Sequence, residues 1–168
     1  YEEKIAANRN FCNKIWNASK FVLFNIEDNS DRILGLNRED LKLTDDDKTF
    51  LEHTDELIKE TTRRLTEFQF GVAAEELYES FWHKFADEYL EQIKARLYTK
   101  DREGNPINTS AEEQESRIAA QWVLLHSLET YLKLLHPFLP FITESIWQSL
   151  PKKEDEAETI MYSKWPED

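Results

Sequence analysis

TDDDKTFLEHTDELIKETTRRLTEF, residues 44–68, opens on a hydroxyl with a carboxylate three residues on, Thr44 and Asp47. That spacing is a capping box, in which each side chain serves the other residue's backbone N–H at a helix start. Phe50, Leu51, Thr54, Leu57, Ile58, Thr61, Leu65 and Phe68 then recur at helical spacing, so one face of this helix turns to a core. Upstream, Asp28-Asn29-Ser30 and Gly35 mark a linker that Leu34, Leu36 and Leu41 pin down, preceded by a first helix over about Glu3–Ile26. Downstream, Gln69-Phe70-Gly71 marks a tight corner. A long third helix reaches about Tyr98 through Val72, Ala73, Leu77, Phe81, Phe85, Tyr89, Ile93 and Leu97. A polar turn comes next over 100–106, and Ser110-Ala111-Glu112-Glu113 repeats the capping pattern for a fourth helix to about His136. Pro137 and Pro140 break it, and Pro140 suits the first residue of a short fifth helix, Phe141–Leu150. No segment alternates as a strand does. The expected fold is all-α, an antiparallel bundle of about five helices over residues 1–150, with 151–168 as a polar, acidic C-terminal extension of the same domain.

Composition agrees. In 168 residues there are 3 Gly and 5 Pro, and 40% hydrophobic with 33% charged residues is a globular balance rather than that of a disordered chain. Cys12 stands alone, so no intrachain disulfide forms; a small buried hydrophobe in a reducing, cytoplasmic setting is expected. No apolar run approaches the roughly 20 residues of a membrane span, and no signal peptide is visible. The chain begins at Tyr1 in mid-pattern without Met, and is expected to be a piece of a longer protein. A formal net charge of −13 excludes a generic basic nucleic-acid binder but leaves room for a local RNA site.

Catalytic patterns are missing. Gly35, Gly71 and Gly104 cannot build a phosphate loop, and His53, His83, His126 and His136 lack partners at metal-ligand spacing. His53 with Glu52, Asp55 and Glu56 reads as a solvated charged face. Glu75, Glu76, Glu79, Asp87, Glu88 and Glu91 interleave with Lys84 and Lys94, which reads as surface ion pairs. Arg63-Arg64 beside Glu60 and Glu67 reads likewise; Lys94 and Arg96 suit the negative end of a helix dipole, and Trp82 and Trp122 suit the core. The residues point to a binding role, with no catalytic residue, metal or cofactor.

The first helix is the exception to this ordinary surface. At about 100° per residue, Phe11, Val22, Ile15, Ile26, Cys12, Leu23, Ile5 and Trp16 form its apolar side. The other side carries Arg9, Lys20, Asn13, Phe24, Asn17, Asn10, Phe21 and Lys14, and no carboxylate occurs from Lys4 to Ile26. Lys and Arg neutralise phosphates, Asn matches base edges, and Phe stacks unpaired bases. The same residues also admit a packing role, with Phe21 and Phe24 under the linker or a neighbouring helix and the asparagines capping backbone groups; of the two rings, Phe24 is the more readily assigned to the core.

Three stretches resemble one family. Arg9-Asn10-Phe11-Cys12-Asn13-Lys14-Ile15-Trp16-Asn17-Ala18-Ser19-Lys20-Phe21-Val22-Leu23 is similar to the opening helix of the anticodon-binding domain of valyl-tRNA synthetases. Phe68-Gln69-Phe70-Gly71-Val72-Ala73-Ala74, with Phe81-Trp82 and Asp87-Glu88-Tyr89-Leu90-Glu91, resembles the family's third helix. Leu134-Leu135-His136-Pro137-Phe138-Leu139-Pro140-Phe141-Ile142-Thr143-Glu144-Ser145-Ile146-Trp147 resembles its next corner, a motif shared with leucyl and isoleucyl relatives. Met161-Tyr162-Ser163-Lys164-Trp165-Pro166 fits the domain's end.

The resemblance implies a domain that docks the anticodon stem-loop of a valine-accepting tRNA, beside a class I catalytic domain that uses ATP and whose signature motifs are not in these residues. The candidate RNA-binding set is Arg9, Asn10, Asn13, Lys14, Asn17, Lys20, Phe21 and Phe24. Lys20 stands where relatives often carry Arg, and Glu88 where they often carry an aromatic residue. The expected state is monomeric. The competing readings are the same domain of an isoleucyl or leucyl enzyme, and a helical protein-interaction scaffold.

Overall fold

A computed structural model describes residues 2–101, 103–107 and 109–167. Its helices are α1 (Glu2–Ile26), a short α2 (Ser30–Leu34) within the linker, α3 (Asp45–Thr66), α4 (Phe70–Glu79), a π-helical segment (Ser80–Tyr89), α5 (Leu90–Leu97), α6 (Ala111–Leu135) and α7 (Pro140–Trp147). α4, the π segment and α5 succeed one another without a break, so the five expected helices are α1, α3, this rod, α6 and α7. No strand forms among the described residues; Lys100 and Pro106 make one isolated antiparallel bridge.

Side-chain pairs give the directions. Phe11 meets Tyr78 and Lys14 meets Asp87, so α1 and the rod run the same way. His53 meets Ser80 and Arg64 meets Glu76, so α3 runs against the rod. Gln121 reaches Asn25 and Arg117 reaches Asp28 just past the end of α1, so α6 runs against α1. The antiparallel bundle is the one expected from the sequence. α6 lies at its centre, buried at most positions from Ile118 to Leu135.

The two capping boxes form as read. Thr44 Oγ1 accepts from the Asp47 N–H at 3.3 Å while Asp47 Oδ2 accepts from the Thr44 N–H at 3.0 Å. Ser110 and Glu113 exchange the same pair of bonds at 3.2 and 2.7 Å. Pro140 opens α7.

The π segment has a cause in the sequence. Ala73, Leu77, Phe81, Phe85, Tyr89, Ile93 and Leu97 are spaced by four and all are buried, none above 2% exposed. An α-helix completes a turn in 3.6 residues, so a strict four-residue stripe would rotate by about 40° per step and wind off the core. A π-helix, bonded i to i+5, turns less per residue and drifts the other way. Ten such residues in mid-rod, ending on the Leu90 N–H to Phe85 carbonyl bond, bring the stripe back into line.

Several local expectations need correction. The corner after α3 turns on Phe68, not on Gly71. Phe68 takes φ 60°, its N–H bonds the Leu65 carbonyl at 3.1 Å, and the Gln69 N–H bonds the Arg64 carbonyl at 2.8 Å. This is a Schellman motif with phenylalanine in the place that favours glycine, at a cost of about 1 kcal/mol. Phe68 is 79% exposed, so it leaves the core face of α3, and it meets Phe70 edge-on. Arg96 does more than face a helix end. Its guanidinium forks onto the fully buried Asp47 at 2.7 and 2.8 Å, Tyr89 donates to the same carboxylate at 2.7 Å, and Ser116 completes the cluster. Burial opposes ionisation of Asp47, but Arg96, Tyr89 and the Thr44 N–H outweigh it and hold this carboxyl below its ordinary range. His53 is not on a solvated face: its Nε2 lies 2.8 Å from Ser80 Oγ, which lies 2.7 Å from the Tyr131 hydroxyl. Cys12 is half-buried rather than sealed in the core.

The segment after α7 packs back onto the bundle. Glu144 accepts from the Thr159 hydroxyl and the Ile160 N–H at 3.0 and 2.9 Å. Trp165 donates to Thr62 Oγ1 at 2.9 Å.

Candidate nucleic-acid interface

α1 is placed by its apolar face and tied at its C-terminal end. Phe11 packs on Tyr78, Phe81 and Trp82, with centroids 4.7, 6.0 and 6.3 Å away, and Ile15, Ala18, Val22 and Ile26 are buried behind it. The buried Ser19 hydroxyl is satisfied by the Ile15 carbonyl at 2.7 Å. The fully buried Gln121 donates to the Asn25 carbonyl at 2.7 Å and to Asp28 at 2.9 Å, and accepts from Asn29 at 3.0 Å. Arg117 adds two bonds to Asp28. Such fully satisfied buried polar groups fix one geometry, and the azimuth of α1 is fixed with them.

That azimuth turns six of the eight candidates outward. Arg9, Asn10, Asn13, Asn17 and Lys20 are exposed, and Phe24 is 78% exposed. Phe24 is therefore not core. The amides of Asn10, Asn13 and Asn17 and the guanidinium of Arg9 have no partner among the described residues, so they do not cap backbone groups. The other two candidates sit at the edge toward the rod. Phe21 is half-buried, with Lys94 Nζ 6.0 Å from its ring centre. Lys14 is ion-paired to Asp87 at 2.5 Å and lies 5.3 Å from the Trp82 ring centre. The ammonium of Lys14, first among several influences, holds the Asp87 carboxyl below its ordinary range.

Trp16 belongs to this face, against the expectation from periodicity. It is 40% exposed, and Lys20 Nζ lies 5.5 Å from its ring centre. Ile5, another member of the expected apolar side, is 58% exposed. Both sit at the margin of the stripe, beyond the arc that the rod, α6 and α7 cover. Over Lys4–Ile26 the result is a surface of two aromatic rings, two cations and three amides without a partner among the described residues, with no carboxylate, on a chain of net charge −13; Glu2 and Glu3 lie ahead of it in the first turn of α1. Flat rings, amides and positive charge are what unpaired bases and phosphates can use. Among the described residues no group of acidic, His or Cys side chains could hold a metal ion, and no helix is long and apolar enough to cross a membrane.

This helical bundle is of the kind that tRNA ligases carry: residues 47–168 match the family model "Anticodon-binding domain of tRNA ligase", and the chain belongs to that family. α1 lies ahead of the matched residues, but whole-chain similarity includes it. The chain is 43% identical over 164 residues to the valine–tRNA ligase of Carboxydothermus hydrogenoformans, covering 98% of this chain and 16% of that one. It is 40% identical over 153 residues to that of Synechocystis, covering 90% and 16%, and 37% identical over 169 residues to that of Oceanobacillus iheyensis, covering 98% and 17%. The chain thus spans about a sixth of the length of these relatives.

Proposed function

We propose that this chain docks the anticodon stem-loop of a valine-accepting tRNA through the outward face of α1, and so supports ATP-dependent valylation by a catalytic domain of the same protein. The chain itself binds and does not catalyse; it acts as a monomer, in the cytoplasm. The observation that carries this reading is the free polar surface of α1. Among the described residues, three amides and a guanidinium stand unbonded on the face that Trp16 and Phe24 share, on a helix whose other side is locked into the core. Arg9 and Lys20 supply attraction to phosphates, the asparagines donors and acceptors for base edges, and the two rings surfaces for stacking.

A gel-shift titration tests it. Arg9→Ala and Lys20→Ala are each expected to weaken binding of valine-accepting tRNA several-fold and to flatten its dependence on salt. Wild-type affinity and salt slope in both variants would remove the face from the interface. Comparing valine-, isoleucine- and leucine-accepting tRNAs on the full-length protein separates the valyl assignment from its two relatives.

A further inference from the structure

The cations around the α1 face are not equally available. Lys14 is held by Asp87. Asp87 also faces His83, whose Nδ1 lies 3.4 Å from its second oxygen. Lys94, beside Phe21, is paired with Glu91. Lys20 lies over Trp16. Arg9 alone has no partner among the described residues. From Lys4 to Ile26 the face carries no carboxylate, Glu2 and Glu3 lying in the first turn of α1, but the rod sets Asp87 and Glu91 along one edge, both exposed. An acid delivered by another helix to the rim of an RNA-binding surface opposes a phosphate backbone passing there, and Asp87 cancels the charge of Lys14, which could have met it.

Resting on the RNA-binding reading of this face, we infer that Asp87 is a specificity-determining residue: by neutralising Lys14 it withholds a phosphate contact from RNA that offers only backbone, so that binding depends on unpaired bases reaching the amides and rings of α1. A duplex presents phosphates and stacked bases. It gains from Arg9 and Lys20, loses to Asp87 and Glu91, and cannot use Trp16, Phe24 or the asparagines. A loop with splayed bases gains from all of these and need not run its backbone along the acidic edge. Discrimination of this kind comes from a repulsive element placed against the wrong partner. The position suits it. Asp87 is 47% exposed in its side chain and bonds only Lys14 and His83, so it contributes little to the core.

The test is a salt-resolved titration of the full chain with two probes, the anticodon stem-loop of a valine-accepting tRNA and a blunt RNA duplex of equal phosphate number. Asp87→Asn is expected to tighten duplex binding three- to ten-fold and to steepen its log–log salt slope by about 0.9, the value for one phosphate neutralised, with a smaller gain on the stem-loop. Lys14→Ala combined with Asp87→Asn is expected to cancel that gain, because the freed charge is gone. Equal tightening of both probes would make Asp87 a plain surface charge and overturn the inference; so would an unchanged duplex affinity. Failure of the underlying reading looks different: there, wild type and Arg9→Ala bind the stem-loop alike.

Discussion

α1 and α6 are each 25 residues long, lie against one another, and are used in opposite ways. α6 buries most of its residues from Ile118 to Leu135, on every side. α1 buries only Phe11, Ile15, Ala18, Ser19, Val22 and Ile26, a single stripe. A helix apolar all round belongs at a core. A helix with one apolar stripe has a remainder that the fold leaves free, and on α1 that remainder holds asparagine, which favours helix less than alanine, lysine or glutamate do. The contrast separates residues kept for the fold from residues kept for something else.

The comparison breaks most directly in α6. Leu128→Ala, at a fully buried position, should lower the unfolding free energy by about 3 kcal/mol in a urea titration; a loss below about 1 kcal/mol would deny α6 its central place. Next comes Glu129, the acid α6 sets into the wall of a cleft of about 370 Å³ with Trp122 and His126. Burial, opposed weakly by Lys133, pushes its carboxyl up to about 7. In the unfolded chain it ionises near its ordinary value, so between about pH 4.5 and 7 the folded state binds the extra proton and stability falls as pH rises. A loss of about 3 kcal/mol across that window is expected for the wild type, and Glu129→Gln should flatten it. Asp47 has the opposite sign: its lowered carboxyl contributes stability above about pH 4 that is lost as pH falls below it.

On α1 the effects move from stability to binding. Phe24→Ala should leave the unfolding free energy within about 0.5 kcal/mol of wild type and weaken stem-loop binding by roughly 1 kcal/mol, the lower end for one stacked base. The smallest effect is the sharpest. Asn13→Ala and Asn17→Ala should each raise stability by a few tenths of a kcal/mol, about the difference in helix propensity, while lowering RNA affinity. Loss of stability in either would mean that the amides serve the fold after all.

Most of the helices are legible in the sequence because their signals are local. Thr44 with Asp47, Ser110 with Glu113, and Pro140 lie within a turn of the helix each one starts. So is most of the α1 face, since Arg9, Asn10, Asn13, Asn17 and Lys20 share one side of any regular helix. The margins are not legible. Periodicity orders residues around an axis but does not say how wide an arc the neighbours cover. It therefore counts Trp16 and Ile5 as core, while it leaves Phe21 and Lys14 on the open face although the rod reaches them; Phe24 it places correctly on the open side, and only the hydrophobicity of the ring argues for the core. Pairs distant in sequence, Lys14 with Asp87 and Asp47 with Arg96, leave no trace in either local pattern. The four-residue spacing from Ala73 to Leu97 is legible as a departure from 3.6, and it points to the π segment once it is taken literally.

That segment carries a consequence for how the domain can change over time. Its residue count sets the phase of everything after it, so losing one residue between Ser80 and Tyr89 would swing α5 by about 100°. Lys94 would leave Phe21 and Arg96 would leave Asp47 in the same stroke, striking the RNA-facing rim and the buried acid together. Side chains along the rod can be exchanged one at a time; its length cannot. Gaps between related chains should accordingly gather in the linker at 27–44 and the turn at 98–110, and avoid residues 80–89.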